Sequence, residues 1–308
     1  MHRRKEGFLL TTISIGDFTD NGNGSGDFGA LAKLDSMIGL QNVKKQIKDF
    51  IKTAKVDNTM KQCRMKVNST KSMHMVLAGS TGTGKTTVAR LIAQALYENS
   101  VLKSNKFIEV QGGDLVAPYV GHPTPHTRQI VERALDGVLF IDEAYTLTHE
   151  NGNSSKDEAV AELLKDIDDH RGRIVCILAG YTSNMRKFFA ISNPGLKSRF
   201  ANWIDFPDYT PQEMLQIMSF MIKSQRLHLA DADTAFTLRK RLMDQMGHLD
   251  QNSGNGRFIR NVLGKITIEK DSRIGSLSAK QMQNMSNEEF MTITKPDVIA
   301  GMRNLAAQ

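Results

Sequence analysis

Eight consecutive residues, Gly79-Ser80-Thr81-Gly82-Thr83-Gly84-Lys85-Thr86, match the pattern G-x-x-x-x-G-K-[ST]. Each residue type has a task in holding phosphate. Glycines let backbone N–H groups wrap a phosphate without side-chain clash. Lys85 can reach the β- and γ-phosphates of a nucleotide, and the Thr86 hydroxyl can ligate Mg²⁺. Thr87, next along the chain, is a further candidate contact. A second group lies downstream, in Val138-Leu139-Phe140-Ile141-Asp142-Glu143. Four apolar residues make a buried strand, and two carboxylates follow at its end, where sheets of this kind bind ligands. Asp142 is suited to hold Mg²⁺ through water and Glu143 to polarise an attacking water. Taken alone the pair could be a solvated acidic turn. After a phosphate loop at this distance it points to binding and hydrolysis of ATP or GTP, with Mg²⁺ as the metal.

These residues need elements to place them. The apolar run His74 to Ala78 leads into the glycine loop as a strand, and Thr86 to Tyr97 follows as a helix, with Val88, Leu91, Ile92 and Ala95 on one side. The helix directs its positive end at the phosphates. Further short apolar runs are Phe107 to Val110, Val138 to Ile141, Ile174 to Ala179 and Trp203 to Phe206, with helical patterns between most of them. An earlier helix is expected from Gln41 to Met60, with Val43, Ile47, Phe50, Ile51 and Ala54 on one face. Strands alternating with helices predict an α/β fold, a parallel sheet with helices on both faces.

After Pro207 only helical periodicity is visible. Thr210-Pro211-Gln212-Glu213 has a capping residue, a proline suited to the first turn and a glutamate that completes a capping box. Leu215, Met218 and Ile222 form one stripe, and Phe236, Leu238 and Leu242 contribute to another. A third helix is expected from about Arg257 to Glu269, and a last one near Pro296 to Leu305, capped by Thr294. Asp20 to Gly29 is rich in Gly, Asn and Asp and reads as a linker. The expected organisation is a flexible arm over 1–33, an α/β domain over 34–208 and a smaller all-helical domain over 209–308. Glu150 to Ser155 reads as a polar loop.

Composition sets limits. A chain of 308 residues with 40% hydrophobic and 24% charged residues has room for a proper core. The net charge of +7 permits nucleic acid or acidic partners without demanding them, because the basic residues are spread out. The 16 methionines read as core filler. Cys63 and Cys176 lie far apart, no Cys/His spacing suits zinc, and Cys176 reads as a buried thiol. A reducing, cytoplasmic setting is expected. No run approaches the ~20 apolar residues that cross a bilayer.

Longer motifs carry a resemblance. Pro118-Tyr119-Val120-Gly121-His122, Gly137 to Tyr145, Leu178-Ala179-Gly180-Tyr181, Asn193 to Phe200 and Asp205-Phe206-Pro207-Asp208-Tyr209 resemble the CbxX/CfqX family of AAA+ ATPases. That family includes the stage V sporulation protein K group and CbbX, the red-type Rubisco activase; the Ser198-Arg199-Phe200 ending leans towards the sporulation group. The resemblance runs from about Leu34 to the C-terminus and implies further roles. Arg199 resembles an arginine finger acting on the γ-phosphate of a neighbouring subunit; a surface arginine paired with an acid is the plainer alternative. Arg257 resembles the sensor-2 arginine, with Arg260 second to it, and Tyr181 or Thr182 occupies the sensor-1 region. Ile38 and Gly39, before Leu40, resemble the segment over the adenine. Tyr119, Val120 and Gly121 resemble the pore loop that grips a threaded peptide in a ring. The implied protein is a homo-oligomeric ring ATPase, a hexamer, remodelling a protein substrate. A nucleic-acid loader, a Rubisco-activase-like chaperone and a slow nucleotide switch are the alternatives. Two departures stand out. Ser80-Thr81 replaces the family's usual Asn-Pro, and Pro123 and Pro125 stiffen the segment after the pore motif.

Overall fold

The computed structural model describes residues 29–65, 72–116, 123–148, 154–192, 194–247 and 254–303. The arm expected before residue 29, the Tyr119, Val120 and Gly121 motif and most of the Glu150 loop lie outside them. The described chain divides at Asp208/Tyr209 into two compact units.

The first unit is built on five parallel strands: β1 Met75–Gly79, β2 Phe107–Gln111, β3 Val138–Asp142, β4 Val175–Gly180 and β5 Asn202–Phe206. Their spatial order is β2-β3-β4-β1-β5. Met75 to Ala78 and Val138 to Ile141 are fully buried on both sides of the sheet, as continuous apolar runs in parallel sheets require. Helices α1 Ala30–Ser36, α2 Gln41–Gln62, α3 Lys85–Glu98, α4 Pro123–Ala134, α5 Ser154–Asp169, α6 Thr182–Ile191 and α7 Pro194–Arg199 complete it. One face of the sheet offers Val76, Leu139, Ile141, Cys176 and Leu178, which pack with Val131, Leu163 and Phe188 from the helices. Cys176 is buried as expected, and burial pushes its thiol pKa up.

Two expectations change here. The helical chain starts at Ala30, inside the stretch assigned to a flexible arm, because the Glu98 carboxylate accepts the Ala30 N–H at 3.0 Å and Ala30 is buried. Pro123 and Pro125 fall in the first turn of α4 instead of stiffening a loop; a helix start tolerates a residue without an N–H.

The second unit holds α8 Pro211–Ser224, α9 Ala232–Met246, α10 Asn255–Gly275, α11 Ala279–Gln283, α12 Asn287–Met291 and α13 Lys295–Arg303. The Thr210 box forms as read: the Thr210 hydroxyl accepts the Glu213 N–H at 3.2 Å, and the Glu213 carboxylate accepts the Thr210 N–H at 2.8 Å. The unit is not all helical. His228–Leu229 and Thr292–Ile293 pair as two short parallel strands, β6 and β7. Two residues each are too short for an alternating pattern, and the pairing joins distant segments. Phe236, read into a core stripe, is 65% exposed, whereas Leu238 and Leu242 are buried.

Candidate nucleotide site

The phosphate loop is held at the C-terminal end of β1. Gly79 pairs with Phe206 of β5, and a Cβ there would lie 2.6 Å from the Phe206 carbonyl oxygen. Gly82 and Gly84 have φ of 78° and 95°, the left-handed region that glycine occupies without strain. Thr83 is buried and its hydroxyl donates to the Ser80 carbonyl at 2.8 Å. Helix α3 starts at Lys85 with no side-chain cap, and the N-terminal end of a helix favours an anion. Lys85 Nζ folds over the loop and donates to the carbonyls of Gly79 and Ser80, each at 2.8 Å. Thr86 is half-buried and Thr87 exposed. Glycine-only torsions, an uncapped helix start and an ammonium over the loop fit a polyphosphate.

Asp142 and Glu143 end β3. Asp142 is half-buried, and its Oδ1 accepts the Glu143 N–H at 3.0 Å. Glu143 is exposed and takes φ 48° and ψ 40°, a conformation rarely held by a residue with a side chain. The Thr146 amide and hydroxyl each donate to its carbonyl at 2.8 Å. Thr86 and Asp142 offer the hard oxygens that Mg²⁺ takes.

The strand order puts β4 between these two groups. Tyr181 follows β4 directly, and its hydroxyl lies 2.5 Å from the Thr81 hydroxyl. Tyr145 comes from the turn after Glu143, and its ring centroid is 6.2 Å from that of Tyr181. Gly180 makes the approach possible, since a Cβ there would lie 2.8 Å from Tyr145 Cδ1. Burial, then the Glu143 charge, push the Tyr145 hydroxyl pKa up, so it stays a neutral donor. Thr182 only opens α6.

Ile38 and Gly39 are half-buried between α1 and α2. Gly39 has φ 63° and Leu40 φ 59°. Buried Lys44 secures this turn by donating to the carbonyls of Asp35 and Met37. Sequence reading missed Lys44 because a lysine on an amphipathic helix looks like a solvated one.

Arg199 lies elsewhere. It closes α7, before the N-terminal end of β5, and the Ser72 hydroxyl, before β1, donates to its carbonyl. β1 and β5 run parallel with Met75 opposite Asn202. The length of β1 therefore separates Arg199 from the phosphate loop of its own chain, at least ~13 Å. Arg199 pairs with Asp168 of α5, with Nε donating at 2.7 Å. In the second unit, Arg257 and Arg260 are exposed in the first turns of α10. Asn255, which opens that helix, accepts the Tyr209 N–H at 2.9 Å.

Residues 75–208 match the family described as ATPase family associated with various cellular activities (AAA), and residues 210–307 match the AAA lid domain. The chain is 37% identical to the chloroplastic ribulose bisphosphate carboxylase/oxygenase activase of Cyanidioschyzon merolae, covering 85% of this chain and 87% of that one. The chain belongs to the CbxX/CfqX family of AAA ATPases. It is 35% identical to protein CbbX of Cereibacter sphaeroides, over 87% of each chain. Stage V sporulation protein K of Bacillus subtilis is 34% identical, over 86% of this chain and 80% of that one. These values do not favour the sporulation group that Ser198-Arg199-Phe200 suggested. Among solved structures, the FIGL-1 AAA domain in complex with ADP shares the fold at TM-score 0.60 and 16% identity, over 87% of this chain and 82% of that one. As a CbxX/CfqX member the protein binds nucleotide and hydrolyses ATP. Among the described residues no helix is long and apolar enough to cross a membrane.

Proposed function

We propose that this ATPase works as a homo-oligomeric ring, a hexamer, and remodels a protein substrate by drawing a segment through its pore. The observation that carries the assembly is the place of Arg199. It sits at the opposite end of the parallel β1/β5 pair from its own phosphate loop, farther than its side chain reaches. An arginine so placed serves a γ-phosphate only in another copy, where such a finger contributes ~10³ to 10⁵ in rate.

The remaining roles follow the same reading. Gly79, Ser80, Thr81, Gly82, Thr83, Gly84, Lys85, Thr86 and Thr87 hold the phosphates, and Ile38 and Gly39 lie against the base. Thr86 and Asp142 hold Mg²⁺, which when bound neutralises charge developing on the phosphates. Glu143 takes the proton of the attacking water. Tyr181 reports phosphate occupancy through its bond to Thr81, and Arg257 answers to nucleotide state from the lid. Tyr119, Val120 and Gly121 grip the substrate, the aromatic ring giving sequence-tolerant contact.

ATP hydrolysis measured against protein concentration, with sizing in ATP, tests the assembly. A rate per subunit that rises cooperatively, and is lost in Glu143→Gln and Arg199→Ala, supports it. A chain that stays monomeric with ATP while hydrolysing at full rate removes the ring. Tyr119→Ala should reduce remodelling far more than hydrolysis, and equal loss of both counts against the pore.

A further inference from the structure

We propose that Asp168 is the positioning residue for Arg199, orienting its guanidinium for a phosphate held by a neighbouring copy of this chain. This rests on the trans-acting reading of Arg199. Asp168 lies in the last turn of α5. Arg199 Nε donates to Asp168 Oδ2 at 2.7 Å, Nη2 donates to the same oxygen, and Nη1 donates to the Gly195 carbonyl at 3.2 Å. A guanidinium has five N–H donors in a rigid planar fork. Three are engaged here. Two are left, one on each terminal nitrogen, as donors for a phosphate.

The backbone beneath is already fixed. The Phe200 N–H donates to the Leu196 carbonyl at 3.0 Å, and the buried Phe200 ring packs against His74 and Phe189. The freedom left to Arg199 is that of its long side chain, and Asp168 removes it. Arg171 Nη2, 4.0 Å from Asp168 Oδ1, faces the carboxylate from the other side. The pair is not sealed in the core, since the side chains are 30% and 33% exposed. It is therefore open to an incoming chain and contributes little to folding, so its loss should be read in turnover and not in stability.

The experiment uses the full chain: kcat, KM and melting temperature for wild type and Asp168→Ala, then mixtures of Asp168→Ala or Arg199→Ala with Glu143→Gln. Asp168→Ala should lower kcat ~10²-fold, the scale of a misplaced reacting group. KM should stay within about twofold, and the melting temperature should hold. Mixing Asp168→Ala with Glu143→Gln should recover activity, because the second variant lends an ordered Arg199 to the intact Glu143 of the first. A wild-type or faster rate for Asp168→Ala overturns the proposal. So does recovery with Arg199→Ala but not with Asp168→Ala, which would place Asp168 inside its own subunit's chemistry. If neither mixture recovers, the trans-acting reading of Arg199 has failed as well.

Discussion

Glu143 combines a strained backbone with an exposed carboxylate, directly after a strand whose four apolar residues are buried. Strain at such a point persists only because its surroundings over-determine it, and here two bonds from Thr146 grip its carbonyl. Glu143→Gln keeps the shape and removes the proposed base. Phosphate release should fall ~10² to 10⁴-fold, while fluorescent-nucleotide titration still shows binding. Tyr181→Phe is a finer test. It keeps the ring beside Tyr145 and deletes the bond to Thr81, worth about 1 kcal/mol. The expected outcome is a kcat several-fold lower at unchanged KM; an unchanged kcat removes Tyr181 from the chemistry. The glycine loop and the carboxylate pair were legible because phosphate binding and metal-assisted hydrolysis call for those residue types at fixed spacing. The Thr81–Tyr181 bond was not, because 100 residues separate its partners.

At the scale of elements, helix ends dominate the lid. Thr210→Ala removes a formed capping box and should cost ~1 kcal/mol, read as a lower urea midpoint. Ser278 with Gln281 and Ser286 with Glu289 make the same box before α11 and α12. Their S-x-x-[EQ] spacing could have revealed two helices that periodicity, needing longer windows, did not. Asp297 does more than a cap. It is buried, accepts from Arg273 Nε at 3.0 Å and from the Thr294 N–H at 2.9 Å. Burial pushes its carboxyl up, but these bonds outweigh burial and hold it below the usual carboxylate range. A depressed pKa means stabilisation that is full above the unfolded pKa and lost as pH falls through the folded one. Asp297→Ala should cost ~2–3 kcal/mol near neutral pH, with the difference from wild type narrowing in acid below about pH 4.

At the scale of the molecule, His74 links pH to the α/β unit. It is buried at the foot of β1, and its Nδ1 accepts the Cys176 N–H at 3.0 Å. Burial pulls its pKa from 6.5 down to about 4. The unfolded chain therefore binds a proton between those values that the folded chain refuses. Stability should fall by up to ~3 kcal/mol as pH drops from 6.5 to about 4. His74→Gln keeps an acceptor for the amide but does not titrate. Urea unfolding across that window should show a shallower fall in this variant, and an equal slope would exclude His74 as the cause.

The sequence by itself determined the five strands, the glycine loop between strand and helix, and the Asp142–Glu143 step at a strand end. Continuous apolar runs and a spacing-dependent motif are local properties, so they need no knowledge of the fold. Only the tertiary structure decided the strand order that sets Tyr181 between Thr81 and Tyr145. It alone paired β6 with β7, anchored Ala30 on Glu98 and exposed Phe236. It also put Arg199 beyond reach of its own phosphate loop and beside Asp168. Each of these depends on contacts between residues far apart in the chain, and local propensity holds no record of them.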